Sequence, residues 1–173
     1  MKILIPALNE NPLAAKALRA EGLNPTVRIV NHYTSYSKII QEYWNAHETF
    51  IIVEHDVIPW PGALKQLWDC EEEWCGFAYP LHAQTLFGGY LGCTKFDKTL
   101  IERTPHLIYV IDNLRWMDID GQILTLLQKI TKAKHFHQHS PPVAHIRELP
   151  QIESMRQTVI QAIHPLNPEG GDS

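Results

Sequence analysis

Cysteine is scarce in this chain: Cys70, Cys75 and Cys93 are the only three among 173 residues. So few thiols at such irregular spacing exclude a disulfide framework. They fit a reducing compartment, with each thiol acting as a small buried hydrophobe. Lysine and arginine form no run, and the net charge is -4. A general nucleic-acid binder with a basic patch is therefore excluded. Long apolar runs are missing too. The stretch Ile3-Leu4-Ile5-Pro6 is too short for a signal peptide, and no window approaches the length of a transmembrane segment. A cytoplasmic protein is expected. No internal repeat occurs. Low complexity is confined to Pro168-Glu169-Gly170-Gly171-Asp172-Ser173. That composition predicts a disordered tail over 166–173 behind one domain over 1–165.

What is present is an ordinary globular composition, 45% apolar and 20% charged, enough for a real core. Strand and helix patterns alternate from the start. Lys2 to Pro6 reads as a strand, followed by a helix with Asn11 as cap, Pro12 at its first position and Gly22 at its end. Thr26 to Val30 is a second strand. Ser35 or Ser37 caps a helix carrying Ile39, Ile40, Tyr43 and Trp44 at core spacing. A third strand ends at Glu54, and Pro61 starts a helix with Leu64, Leu67 and Trp68 on one face. Trp74 to Tyr79 makes a fourth strand, and Leu86 to Thr94, with Gly88, Gly89 and Gly92, a glycine-loosened strand or loop. Asp120 caps an apolar helix through Ile123, Leu124, Leu126, Leu127 and Ile130. This order predicts an α/β fold: right-handed βαβ units and a mostly parallel sheet flanked by helices. The amphipathic segment from Gln151 to Ile163, with Ile152, Met155, Val159 and Ile163 on one face, either packs on that core or docks a partner.

Three constellations carry candidate chemistry. Phe50-Ile51-Ile52-Val53 is continuously apolar, as a strand buried on both faces requires, and it stops in Glu54-His55-Asp56. Ligands of open α/β sheets bind beyond the carboxyl ends of the strands. Carboxylates there suit Mn²⁺ or Mg²⁺ and, through them, phosphate oxygens. The same acids also fit a solvated turn. Asp118 and Asp120 sit one apart before a helix. Capping explains one of them and leaves the other over. Finally, His135, His137, His139 and His145 surround Ser140-Pro141-Pro142. Alternating histidines on a strand share a face, which allows metal ligation, although solvated histidines give the same pattern.

The order of these parts resembles the GT-A glycosyltransferases, in particular the inverting family two of nucleotide-sugar-dependent enzymes. Ile5-Pro6-Ala7-Leu8-Asn9-Glu10 is similar to the opening strand and Pro-x-x-Asn-Glu turn of that family. Glu54-His55-Asp56 stands in the place of its Asp-x-Asp metal motif. Gly88 to Lys95 resembles the glycine-containing segment beside donor sugar and acceptor. Asp120 matches the aspartate that acts as base, and His145 the late histidine that completes the metal site. The matched order covers residues 3 to 147. There are departures: Glu54 replaces the first aspartate, and Ile119 stands where a glutamate usually precedes the base, with Asp118 one position earlier. The base is therefore Asp120 or Asp118. The chain is also short for the fold, with little left for an acceptor subdomain.

The resemblance implies a compact, single-domain GT-A (Rossmann-like) transferase. It would move a sugar from a nucleoside diphosphate sugar, with a uridine diphosphate donor expected, to a hydroxyl of a glycan or other acceptor, with inversion. Asp56 and His145 would hold Mn²⁺ or Mg²⁺. Pro6, Glu10, Asn31, Glu54 and Gly89 would line the nucleotide-sugar site, though Asn31 also reads as a plain turn residue. Two other classes stay open. A zinc-dependent hydrolase would combine the His135–His145 cluster with Asp56 around an open coordination position. A non-catalytic nucleotide- or partner-binding module would keep the sheet without the base.

Overall fold

The computed structural model describes residues 1–32, 34–82, 85–87, 91–112, 114–130 and 136–145. Gly88, Gly89 and His135, the segment from Gln151 to Ile163 and the tail over 166–173 lie outside the described residues. In chain order the elements are β1 (Lys2–Ala7), α1 (Leu13–Ala20), β2 (Thr26–Ile29), α2 (Ser35–Asn45), β3 (Phe50–Val53), β4 (Val57–Ile58) and α3 (Ala63–Asp69). There follow β5 (Trp74–Phe77), β6 (Tyr79–His82), β7 (Thr85–Phe87), β8 (Cys93–Phe96), α4 (Lys98–Arg103), α5 (Leu107–Val110), α6 (Trp116–Ile130), β9 (His137–His139) and β10 (Ala144–His145).

Among the described residues, six strands form the central sheet in the order β2-β1-β3-β8-β5-β9. β1 runs parallel to β2 and β3, and β5 runs parallel to β9. Only β8 opposes its neighbours, β3 and β5. The sheet is thus mostly parallel and flanked by helices, as the alternation of patterns predicts. β1 and β3 are buried on both faces, which is why neither shows polar alternation. On one face Leu4, Phe50 and Ile52 meet Tyr36, Ile40 and Trp44 of α2 and Ile119, Ile123 and Leu127 of α6. On the other, Ile3, Ile5, Ile51 and Val53 meet Ala14, Ala15 and Leu18 of α1 and Leu64 and Leu67 of α3. Each buried Leu, Ile, Val or Phe among these contributes about 1.5–3 kcal/mol through burial. The Trp44 and Phe96 rings meet edge-on with centroids 5.4 Å apart, and the Trp44 indole N–H donates to the Thr104 carbonyl at 3.1 Å.

Several local expectations need correction. Pro12 itself occupies the N-cap of α1. Asn11 instead donates its backbone N–H to Asn9 Oδ1 in a tight turn. Thr34 precedes α2, so neither Ser35 nor Ser37 caps it, and the Ser37 hydroxyl donates to the Thr34 carbonyl. α3 begins after Gly62, whose φ of 87° no other residue adopts cheaply, rather than at Pro61. The expected fourth strand breaks at Ala78, whose carbonyl accepts the Val143 N–H at 2.9 Å. Gly22, with φ 76°, ends α1 as expected, and the Leu23 N–H reaches back to the Leu18 carbonyl.

Candidate active site

The carboxyl ends of β1 and β3 open onto one mouth of the sheet. Beyond Val53 the ladder is extended by one bond, the Glu54 N–H donating to the Gly92 carbonyl at 2.9 Å. The chain then turns, with the Val57 N–H donating to the Glu54 carbonyl at 3.0 Å. Glu54, His55 and Asp56 occupy that turn, and β4 leads away from it. β10 lies antiparallel on β4 with His145 opposite Val57. This pairing carries His145 Nε2 to 3.3 Å from Asp56 Oδ2. Both residues are buried, although 89 positions separate them in the sequence.

Two tyrosines wall this turn. The Tyr79 ring lies beside the His145 imidazole with centroids 5.4 Å apart. It rests on Gly92 so closely that a Cβ there would fall 2.2 Å from a Tyr79 ring carbon. Glycine at 92 is therefore required by contact, not by conformation. Tyr36 is fully buried, and its hydroxyl donates to Glu54 Oε1 at 3.4 Å. Burial, then the carboxylates of Glu54 and Asp120 and the Tyr79 hydroxyl, push the Tyr36 phenol well above its ordinary range. It stays protonated and serves as a donor.

Asp120 departs from the expected cap. α6 begins at Trp116, so Asp120 stands in its second turn, next to the buried Ile119. Its Oδ1 is sealed from solvent with no hydrogen-bond partner among the described residues. Burial pushes its carboxyl up to about 7, the reverse of what the positive end of a helix dipole would do. Asp118 is the first-turn acid. It faces Arg115, whose Nε donates to Asp118 Oδ2 at 2.8 Å, and both side chains reach solvent. The two acids thus separate into a solvated ion pair and a desolvated carboxyl within electrostatic reach of Tyr36.

The remaining candidates are placed less centrally. Pro6 is buried in β1, and Glu10 is exposed in the turn that follows. Asn31 is exposed and accepts the Ser35 hydroxyl at 3.0 Å, the turn role. Gly89 and His135 lie outside the described residues. The histidine cluster divides. His145 goes to Asp56, whereas His137 and His139 project from β9 toward Cys70. Of this cluster, the hydrolase reading finds His145 beside Asp56 among the described residues, with His137 and His139 directed elsewhere. Tyr36 and Tyr79 were not foreseen. Tyr36 falls on the same helical face as Ile40 and Trp44, and that pattern does not tell a site tyrosine from a core aromatic.

Asp56 and His145 together fit a hard or borderline cation. A carboxylate and an imidazole 3.3 Å apart can share one ion with bonds of about 2.1 Å. The other ring nitrogen, His145 Nδ1, is buried without a hydrogen-bond partner among the described residues.

No family model matches the sequence, and no curated protein matches it in sequence. Solved structures do match it in fold. A glycosyltransferase involved in the glycosylation of the major capsid of PBCV-1 superposes with a TM-score of 0.54 at 13% identity, covering 92% of this chain and 98% of that one. A protein from STIV superposes with a TM-score of 0.50, also at 13% identity, over 83% of this chain and 81% of that one. These likenesses establish the Rossmann-like α/β architecture. Among the described residues, no helix is long and apolar enough to cross a membrane.

Proposed function

We propose that this chain is a metal-dependent glycosyltransferase that moves a sugar from a nucleoside diphosphate sugar to an acceptor hydroxyl with inversion. The observation that carries the reading is two kinds of acid linked through Tyr36, whose hydroxyl donates to Glu54 in the turn that holds Asp56 and whose phenol feels the Asp120 carboxylate. Asp56 is paired with an imidazole, and Asp120 is desolvated, with a carboxyl at about 7. Glycosyl transfer needs both kinds, because charge grows on a leaving diphosphate while a proton leaves the attacking hydroxyl. The fold shared with a glycosyltransferase supports the same reading.

In this mechanism Asp56 and His145 hold Mn²⁺ or Mg²⁺. A cation bound there supplies positive charge to the diphosphate oxygens. Asp120 accepts the proton of the acceptor hydroxyl, a role suited to a group that titrates near neutral pH. The acceptor oxygen forms its bond to the anomeric carbon as the bond to the diphosphate breaks, and that electron pair leaves on the diphosphate. Tyr36 keeps its proton and holds Glu54 by a donated hydrogen bond, fixing the floor of the site. The uridine diphosphate donor and the nucleotide contacts of Pro6, Glu10, Asn31 and Gly89 belong to this proposal, as does a glycan or other hydroxyl-bearing acceptor. The test is transfer measured with a panel of nucleoside diphosphate sugars in Mn²⁺ and in chelator. Transfer confined to the metal-containing reactions is expected. Equal binding of every nucleotide sugar in chelator would remove the role given to Asp56.

A further inference from the structure

Away from this mouth, a second set of metal-type donors comes together. Cys70 follows the last turn of α3, and β9 is the last strand of the sheet among the described residues. The parallel register sets His137 opposite Cys75 and His139 opposite Phe77, so both imidazoles lie on one face. One ligand atom each from Cys70, His137 and His139 lie within 4.8 Å of one another. His139 is only 8% exposed, and its Nε2 is buried with no hydrogen-bond partner among the described residues. A buried ring nitrogen left without a partner is costly unless something is bound to it. The Lys95 ammonium donates to the Cys70 carbonyl and holds the turn that presents the thiol.

We infer that Cys70, His137 and His139 form a zinc site separate from the Asp56–His145 pair. One thiolate and two imidazoles are the donors zinc takes, at bonds of about 2.0–2.3 Å, and a set with a soft thiolate and no carboxylate oxygen suits zinc better than Mg²⁺ or Mn²⁺. The exposed His137 and half-buried Cys70 leave their side chains room to adjust toward the spacing of a tetrahedron. On binding, the Cys70 S–H bond is replaced by S–Zn and the proton passes to solvent. Three protein ligands leave the fourth position to water on the exposed side. The ion ties the end of α3 to β9, a three-residue strand that has a neighbour on one side only among the described residues. β9 leads within six residues to His145, so zinc here anchors the segment that delivers His145 to Asp56.

The full chain, stripped with chelator, is titrated with Zn²⁺ against a chromophoric competitor and separately with Co²⁺. One zinc per chain is expected, together with a thiolate-to-cobalt charge-transfer band. Cys70→Ser should abolish the band and weaken zinc binding by at least about 100-fold, the upper end of what an outer-shell change costs. His145→Ala should retain the band. On the wild type itself, zinc should protect Cys70 from alkylation, read by mass mapping, which does not depend on a variant folding. Absence of stoichiometric zinc, a cobalt complex without the band, or unchanged Cys70 alkylation in zinc would overturn the assignment. So would a band that survives Cys70→Ser.

Discussion

His145 Nε2 lies 3.3 Å from Asp56 Oδ2 because β10 pairs antiparallel with β4, His145 opposite Val57. A two-strand ladder thus does the work of bringing a late histidine to an early acid. Neither residue alone is a metal site. Together they are a buried pair whose donors suit a divalent cation.

The first prediction follows from that pair. Asp56→Asn or His145→Ala should lower the Mn²⁺-dependent affinity for a uridine diphosphate compound by at least about tenfold, or 1.4 kcal/mol. Calorimetry in Mn²⁺ and in chelator reads it. Unchanged affinity in both variants would detach the pair from nucleotide binding.

Stability should depend on pH through Asp120. Its carboxyl is near 3.8 when solvated and about 7 in the fold, so between those values the folded chain holds a proton that the unfolded chain has lost. Wild-type stability from this group therefore falls as pH rises from about 4 to 7. Asp120→Asn lacks that loss. The variant should be more stable by about 1–3 kcal/mol above pH 7, with the gap closing toward pH 4. Urea unfolding across that range checks it, and a gap that widens toward acid would contradict the buried placement.

Two glycines should respond in opposite ways to alanine. Gly121 lies inside α6, with nothing within 4 Å of the space a Cβ would take. Gly121→Ala should stabilise by about 0.5–1 kcal/mol. At Gly92 the Cβ would strike the Tyr79 ring, and Gly92→Ala should destabilise by about 1–3 kcal/mol. Thermal unfolding separates the two.

Asp118 should matter little. Its partner Arg115 is largely exposed, and such pairs contribute about 0–1 kcal/mol. Asp118→Asn should leave unfolding midpoints and transfer rates close to wild type. A large loss of transfer in this variant alone would move the base from Asp120 to Asp118.

Much of the fold was legible because β1, β3 and the helices carry strong apolar periods. The continuous Phe50–Val53 run marks a central strand and places Glu54 and Asp56 at its mouth. Local boundaries were harder. Gly121 weakens the helical signal just after Asp120, so the pattern suggests a helix starting there. The packing of Ile119, Ile123 and Leu127 on one face lets α6 begin four residues earlier. That shift turns Asp120 from a solvated cap into a desolvated acid. Burial of a single carboxyl oxygen is a tertiary property that spacing does not encode. The partition of the histidines is tertiary as well. Alternation places His137 and His139 on one face, but only the β5–β9 register and the end of α3 show that this face meets Cys70.

The central claim, Asp120 as the base of a metal-dependent sugar transfer, is tested most directly by the pH dependence of transfer in the wild type and in Asp120→Asn. In saturating Mn²⁺, wild-type transfer should rise through pH 7 as the Asp120 carboxyl loses its proton. Asp120→Asn should keep nucleotide binding while transfer drops by about 10²–10⁴-fold, with that rise lost from its pH profile. An Asp120→Asn variant that transfers at the wild-type rate with the same pH profile would contradict the account.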